Sequence, residues 1–364
     1  MSAHGSLPKS SWAFPALAVL LFAAATAAGY QFAPTAAGLV FAAILLVILF
    51  GTVFAAVHHA EVVAERIGEP FGTLLLTLSV TIIEVALIAT IMLGEQAAAT
   101  LARDTVFAVV MIVCNALVGI CILAGGLRYR EQDIQVSGSS VYLSVLAVLS
   151  TITLIMPNYT LTTPGPVYST GQLRFVSVAT ILLYAVFLYT QTVRHRHYLV
   201  AGSNGAVEGA HASNRTVFLS FGLLLISLLA VVLLAKKFSQ VVDAGATLIG
   251  APPAFAGIVV ALLILLPEGI AAIDAARRND LQKSINLALG SSLATIGLTI
   301  PAVAVVVYAL DTQIVLGLPT QDVVLLVLTL ILCMLTLGGG RTNILFGLVH
   351  LVVFAVFIFL VFVP

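Results

Sequence analysis

The chain has 364 residues, of which 61% are hydrophobic and 8% charged, and its 15 basic and 15 acidic side chains cancel to a formal net charge of zero. Mean hydropathy is +1.17. Soluble domains carry about 45–50% apolar and about 25% charged residues, so a water-soluble fold, a nucleic-acid binder, a disordered tail and a secreted disulfide scaffold are all excluded.

One bilayer crossing takes about 20 mainly apolar residues. Breaks at charge and Gly/Pro clusters divide the chain into eleven candidate spans. They cover 11–30, 35–57, 72–94, 104–125, 139–157, 172–194, 215–235, 253–276, 285–309, 321–339 and 342–363. Runs of this length exclude barrel strands, which read as short alternating segments. In the first span Lys9 and the stretch AAATAAG also fit a signal peptide, but the apolar run is long for one, so a retained span is expected. Cys114, Cys121 and Cys333 lie inside apolar runs and form no metal or disulfide framework.

Lys and Arg accumulate on the cytoplasmic side of a membrane protein. With eleven spans, one side carries Lys9, Arg66, Arg128, Arg130, Arg194, Arg196, Arg215, Arg277, Arg278, Lys283 and Arg341, and the other only Arg103, Arg174, Lys236 and Lys237. This places the N-terminus in the cytoplasm and the C-terminus outside. The longest polar stretch, 194–215, divides the spans after the first into two sets of five. An odd repeat enters the membrane from opposite faces, which is the inverted architecture of many secondary transporters. The organisation expected is an all-α polytopic membrane protein. It has an extra N-terminal helix (1–33), a five-helix repeat (34–194), a cytoplasmic linker (195–214) and an inverted five-helix repeat (215–364).

Twelve of the acidic residues fall in loops or at span ends; Glu84, Glu268 and Asp274 do not. Asp274 lies near the cytoplasmic end beside Arg277 and Arg278. Glu84 and Glu268 fall near mid-bilayer, twelve and fifteen residues into the third and eighth spans. An ionised carboxylate there costs at least about 2.5–3.5 kcal/mol, and neither span carries a Lys or Arg nearby. Each acid is therefore protonated or neutralised by a cation, and alternation between the two states is ion–proton exchange. The plain alternative is a permanently neutral Glu bonding two helices together, which two midplane acids in corresponding places make less attractive.

Neutral oxygens accompany the acids. Thr77, Thr81 and Glu84 share one helix face, Ser291, Thr295 and Thr299 form a second stripe with Ser292 alongside, and Asn115 is the strongest polar group in the fourth span. A hard cation such as Ca²⁺ takes 6–8 oxygen ligands. Taken singly, such hydroxyls more often bond their own backbone or a neighbouring helix. Pro267, directly before Glu268, frees a backbone carbonyl one turn earlier, either as a further ligand or as a plain kink.

At these residues the chain is familiar. GEPFGTLLLTLSVTIIEVALI (68–88) and LLPEGIAAIDAARRNDLQKSINLALGSSLATIGLTIPAVA (265–304) resemble the two alpha-repeats of bacterial calcium/proton antiporters, the Cha-type members of the cation/calcium exchanger superfamily. CNALVGICILAGGLRYREQDI (114–134) resembles the segment after the first repeat. The resemblance implies alternating access in a bacterial inner membrane. It places the family's two essential glutamates on Glu84 and Glu268, its Asn on Asn115, and its Gly-Ser-Ser element on Gly290, Ser291 and Ser292. It departs where many members carry Asn or Pro before the first Glu, here Ile82-Ile83, and it lacks the acidic helix of some eukaryotic members. The group also includes Na⁺/H⁺ and K⁺/H⁺ exchange.

The expected function is therefore secondary cation/proton antiport. Ca²⁺, or alternatively Na⁺ or K⁺, exchanges for H⁺ at Glu84, Glu268, Asn115, Thr81, Ser291, Ser292 and Thr295. No cofactor is expected, and the partners are inorganic cations, protons and the lipid bilayer. His58 and His59, after the second span, are candidates for pH sensing, with ordinary interfacial histidines as the alternative. A cation channel is the competing function. No H-E-x-x-H motif, nucleophile elbow or Walker A sequence is present, and GGGRTN (338–343) lacks the Lys-Ser/Thr ending, so an intramembrane protease and a nucleotide-driven pump are not expected.

Overall fold

A computed structural model describes residues 8–68, 71–93, 99–194, 213–309 and 313–363. Eleven helices among them are long and apolar enough to cross a membrane: α1 Lys9–Ala27, α2 Ala36–Ile67, α3 Phe71–Met92, α4 Leu101–Tyr129, α5 Val136–Tyr159, α6 Thr170–Arg194, α7 Asn214–Leu248, α8 Ala254–Arg277, α9 Leu281–Ala309, α10 Thr320–Gly338 and α11 Ile344–Phe362. Large apolar side chains such as Phe175, Phe218 and Phe359 are exposed, as expected where lipid is the solvent. The expected linker, apart from Ser213 and Asn214, lies outside the described residues, as do Glu69, Glu95, Glu208 and Asp311.

The span count agrees with the hydropathy reading, but two spans are much longer than expected. α2 runs to Ile67 instead of 57, and α7 to Leu248 instead of 235. In both, charge ends the apolar run without ending the helix: Glu61, Glu65 and Arg66 lie on α2, and Lys236, Lys237 and Asp243 on α7. Glu61, Glu65 and Asp243 are thus helical rather than in loops. Hydropathy marks where lipid stops; backbone hydrogen bonding continues into water.

The all-α expectation meets one exception. β1 Glu131–Asp133 and β2 Arg341–Asn343 pair antiparallel, Gln132 opposite Thr342. Four helices also contain π-turns, at Ile112–Leu117 in α4, Thr151–Ile155 in α5, Thr190–Arg194 in α6 and Thr295–Thr299 in α9. In a π-turn one extra residue is accommodated by i→i+5 bonding, a distortion frequent at functional sites.

The helices form two compact units that cut across the two expected five-helix repeats, one holding α1, α2, α3 and α7 and the other the remaining seven. In the first, α2 packs against α1, α3 and α7. Pro15 removes the N–H that would bond the Ser11 carbonyl, and His59 Nε2 donates to that carbonyl instead, at 2.9 Å. The Phe14 ring sits over Gly51, where a Cβ would approach it to 2.3 Å. A neighbouring point of attachment is Thr52 Oγ1, 3.3 Å from the Phe14 carbonyl. At one end Arg66 donates to Asn214 Oδ1, and elsewhere Lys237 donates to the Tyr30 carbonyl.

In the second unit α8 packs on α4 and α9, α11 on the second half of α4, α5 on α9 and α10, and α6 on the second half of α9. Gly257 meets the backbone of Asp104 and Thr105, and Gly269 lies against Leu117. α4 and α8 therefore run parallel, in register over about a dozen residues. The two ends of this unit have distinct chemistry. At one, Tyr129 donates to the Arg277 carbonyl, Gln132 to the Ala276 carbonyl and Asn279, and Arg341 pairs with Asp133 and Glu131. At the other, Arg103 pairs with Asp104 and donates to the Gly317 carbonyl, and the Arg174 guanidinium stacks over Tyr308. Arg128, Arg277 and Arg341 thus share one end, and Arg103 and Arg174 the other, as the charge count requires. Asp274 pairs with Arg278 at 2.8 Å.

Candidate functional site

Each unit holds one carboxylate near the middle of a span. Glu84 is the fourteenth residue of α3 and Glu268 the fifteenth of α8, similar places in the second helices of the two expected five-helix sets. The following helices match as well. α4 and α9 are both 29 residues long, and each carries a π-turn near its middle.

In the first unit Glu84 is 1% exposed and lies on a helix packed against α2 and α7. Thr81 is buried beside it in the same helix, and Thr77, one turn earlier, is half-buried. Thr81 Oγ1 donates to the Thr77 carbonyl at 2.9 Å. This back-bonding is the common behaviour of a membrane threonine; it consumes the hydroxyl proton and leaves the oxygen lone pairs available.

The second unit holds the remaining candidate cation-binding residues, on α4, α8 and α9. Glu268 is half-buried, follows the buried Pro267, and precedes Gly269, where a Cβ would stand 3.7 Å from the Leu117 side chain. Glu268 is therefore level with the π-turn that holds Asn115. Pro267 withdraws the hydrogen bond to the Leu263 carbonyl one turn before, as its place in the helix interior dictates. α9 packs on both α8 and this π-turn. On it, Ser292 and Thr295 are buried and Ser291 is half-buried, with Ser292 Oγ donating to the Leu289 carbonyl at 2.9 Å.

Asn115 is fully buried and engaged by α10 and α11. Its amide nitrogen donates to Thr329 Oγ1 at 2.9 Å, and its oxygen lies 3.4 Å from His350 Nδ1. His350 was a lone histidine in sequence; here it is fully buried, with Nε2 at 3.0 Å from Thr336 Oγ1. A histidine in the middle of an apolar span was the available signal, but its partner stands 235 residues away. All three cysteines are free and buried.

The two adjacent histidines of α2 differ. His59 is buried against α1 as the donor to Ser11, its Nδ1 having no partner among the described residues, whereas His58 is half-buried with its ring 5.5 Å away. Both lie inside the helix rather than after it. No three His, Cys, Asp or Glu among the described residues are grouped to hold a metal ion.

Eleven spans, one mid-helix carboxylate in α3 and one in α8, and matched π-turns in the helices that follow them are the features of a membrane transporter. The model of the sodium/calcium exchanger protein family matches residues 35–193 and 219–363, and the chain belongs to that family. It is 45% identical over 319 residues to y4hA of Sinorhizobium fredii (strain NBRC 101917 / NGR234), a candidate ionic transporter, covering 87% of both chains. It is 36% identical over 323 residues to the sodium-potassium/proton antiporter ChaA of Escherichia coli (strain K12), again covering 87% of both. Its fold is similar to that of native YfkE, with a TM-score of 0.74 at 18% identity, over 97% of this chain and 100% of the other.

Proposed function

We infer that the protein is a secondary cation/proton antiporter of the bacterial inner membrane, with its N-terminus in the cytoplasm, that exports Ca²⁺ in exchange for H⁺ by alternating access. The observation that carries this reading is the pair Glu84 and Glu268, at equivalent positions of two repeats and without a Lys or Arg in either span near them. Carboxylates so placed hold either a cation or protons. The proton-loaded and cation-loaded forms are both close to neutral and reorient cheaply, whereas an empty, doubly ionised site pays the full cost of charge in lipid. That difference couples the two fluxes. Thr81, Ser291, Ser292, Thr295 and Asn115 supply neutral oxygens, and two carboxylates plus such oxygens suit Ca²⁺. YfkE, whose fold this chain shares, is named a Ca²⁺/H⁺ antiporter.

A second reading, Na⁺ or K⁺ exchange without calcium preference, is favoured by the identity to ChaA, named for sodium and potassium. Purified protein in sealed proteoliposomes with an imposed pH gradient and a clamped membrane potential separates the two. Ca²⁺, Na⁺ and K⁺ are added one at a time. Collapse of the gradient by Ca²⁺ supports the first reading and collapse by Na⁺ or K⁺ alone the second. Cation flux without proton movement makes the protein a channel or uniporter and overturns both.

A further inference from the structure

The buried cluster formed by α4, α10 and α11 has its hydrogens fixed by its own geometry. The Thr329 hydroxyl donates to the sulfur of Met111 at 3.5 Å, and Thr329 Oγ1 accepts from Asn115 at 2.9 Å. The amide nitrogen of Asn115 is thereby directed to α10 and its oxygen to α11. His350 Nδ1, 3.4 Å from that oxygen, must carry a proton to bond it. The ring also bonds the main chain of Cys114, the residue before Asn115 in the π-turn. Cys333 Sγ approaches the same Cys114 carbonyl at 3.9 Å. A neutral imidazole protonated at Nδ1 has a bare Nε2, and Thr336 Oγ1 at 3.0 Å donates to it. The Nδ1-protonated tautomer satisfies both side-chain contacts of the ring, with Asn115 and with Thr336.

We propose that His350 is a positioning residue: a neutral, Nδ1-protonated imidazole that holds the side-chain oxygen of Asn115, and with it the π-turn of α4, in one orientation at the level of Glu268. The proposal rests on the reading of Asn115 as part of the cation path. An amide side chain carries an acceptor at one end and donors at the other, and a cation accepts only the former. Free to flip, Asn115 would present N–H to the cation for part of the time. Thr329 sets the nitrogen and His350 the oxygen, so the rotamer is held from two helices.

Asn and Gln separate the roles of the two ring nitrogens. The Asn amide places an N–H where Nδ1 stands, and the Gln amide places its polar end where Nε2 stands. In the proteoliposome assay, His350→Gln is expected to raise the half-saturating cation concentration about tenfold, the equivalent of one hydrogen bond of about 1.4 kcal/mol, with maximal rate within about twofold of the parent. His350→Asn is expected to stay within about threefold in both quantities. Equal effects of the two substitutions, or a fall in maximal rate at unchanged affinity, overturn the proposal.

A second readout needs no transport. With ¹⁵N-labelled histidine in the detergent-solubilised protein, and His350→Gln to identify its resonances, Nδ1 should be protonated and Nε2 bare. A protonated Nε2 overturns the proposal. Wild-type protein that moves no cation yet shows the Nδ1–H form sinks the antiport reading and upholds the lock.

Discussion

Glu84→Gln isolates charge from shape, because the amide matches the protonated carboxyl in size. Glu84 is 1% exposed in the middle of a 22-residue helix, so whatever ion it meets is met largely out of bulk water. At about 4 Å and an effective dielectric of about 20, a unit charge pair is worth about 4 kcal/mol. Losing it weakens cation binding by about a thousandfold. The resting protein responds in the opposite sense: an ionised carboxylate at this depth costs at least about 2.5–3.5 kcal/mol, and the variant carries none. The expected result is loss of cation-driven proton release in proteoliposomes together with a thermal midpoint in detergent equal to or above wild type. Glu268→Gln should do the same from the second repeat. Exchange within about tenfold of wild type in either variant would falsify the assignment of that glutamate.

Three further outcomes probe the scaffold. His59→Phe leaves the Ser11 carbonyl, freed by Pro15, without its donor, and should destabilise the α1–α2 contact by about 1–3 kcal/mol. In that background Pro15→Ala restores a main-chain N–H one turn on, so a double-mutant cycle by thermal denaturation should show recovery, and additive losses refute the pairing. Gly257→Val places a Cβ 2.8 Å from the Thr105 nitrogen, and overpacking of about 1–3 kcal/mol should lower the melting temperature. Tyr168, between α5 and α6, donates to the Ile152 carbonyl at 2.6 Å, and burial raises its phenol from 10 to about 12. Its contribution to stability is present below pH 10 and disappears as pH rises through about 12. The phenolate absorbance lost in Tyr168→Phe should therefore appear later than that of the exposed tyrosines.

The number of spans, the alternation of charge between their ends and the mid-helix places of Glu84 and Glu268 were legible in the sequence, because each is a property of one residue against its solvent. Lipid admits long apolar helices and penalises unpaired carboxylates wherever the rest of the chain goes. The extents of α2 and α7 were not legible, since hydropathy measures the lipid and not the helix. Tertiary structure alone decided which groups meet. His59 finds the Ser11 carbonyl 48 residues away, and Asn115 finds Thr329 across 214. Sequence states what a side chain cannot tolerate in a membrane; only the assembled helices supply the partner that makes it tolerable.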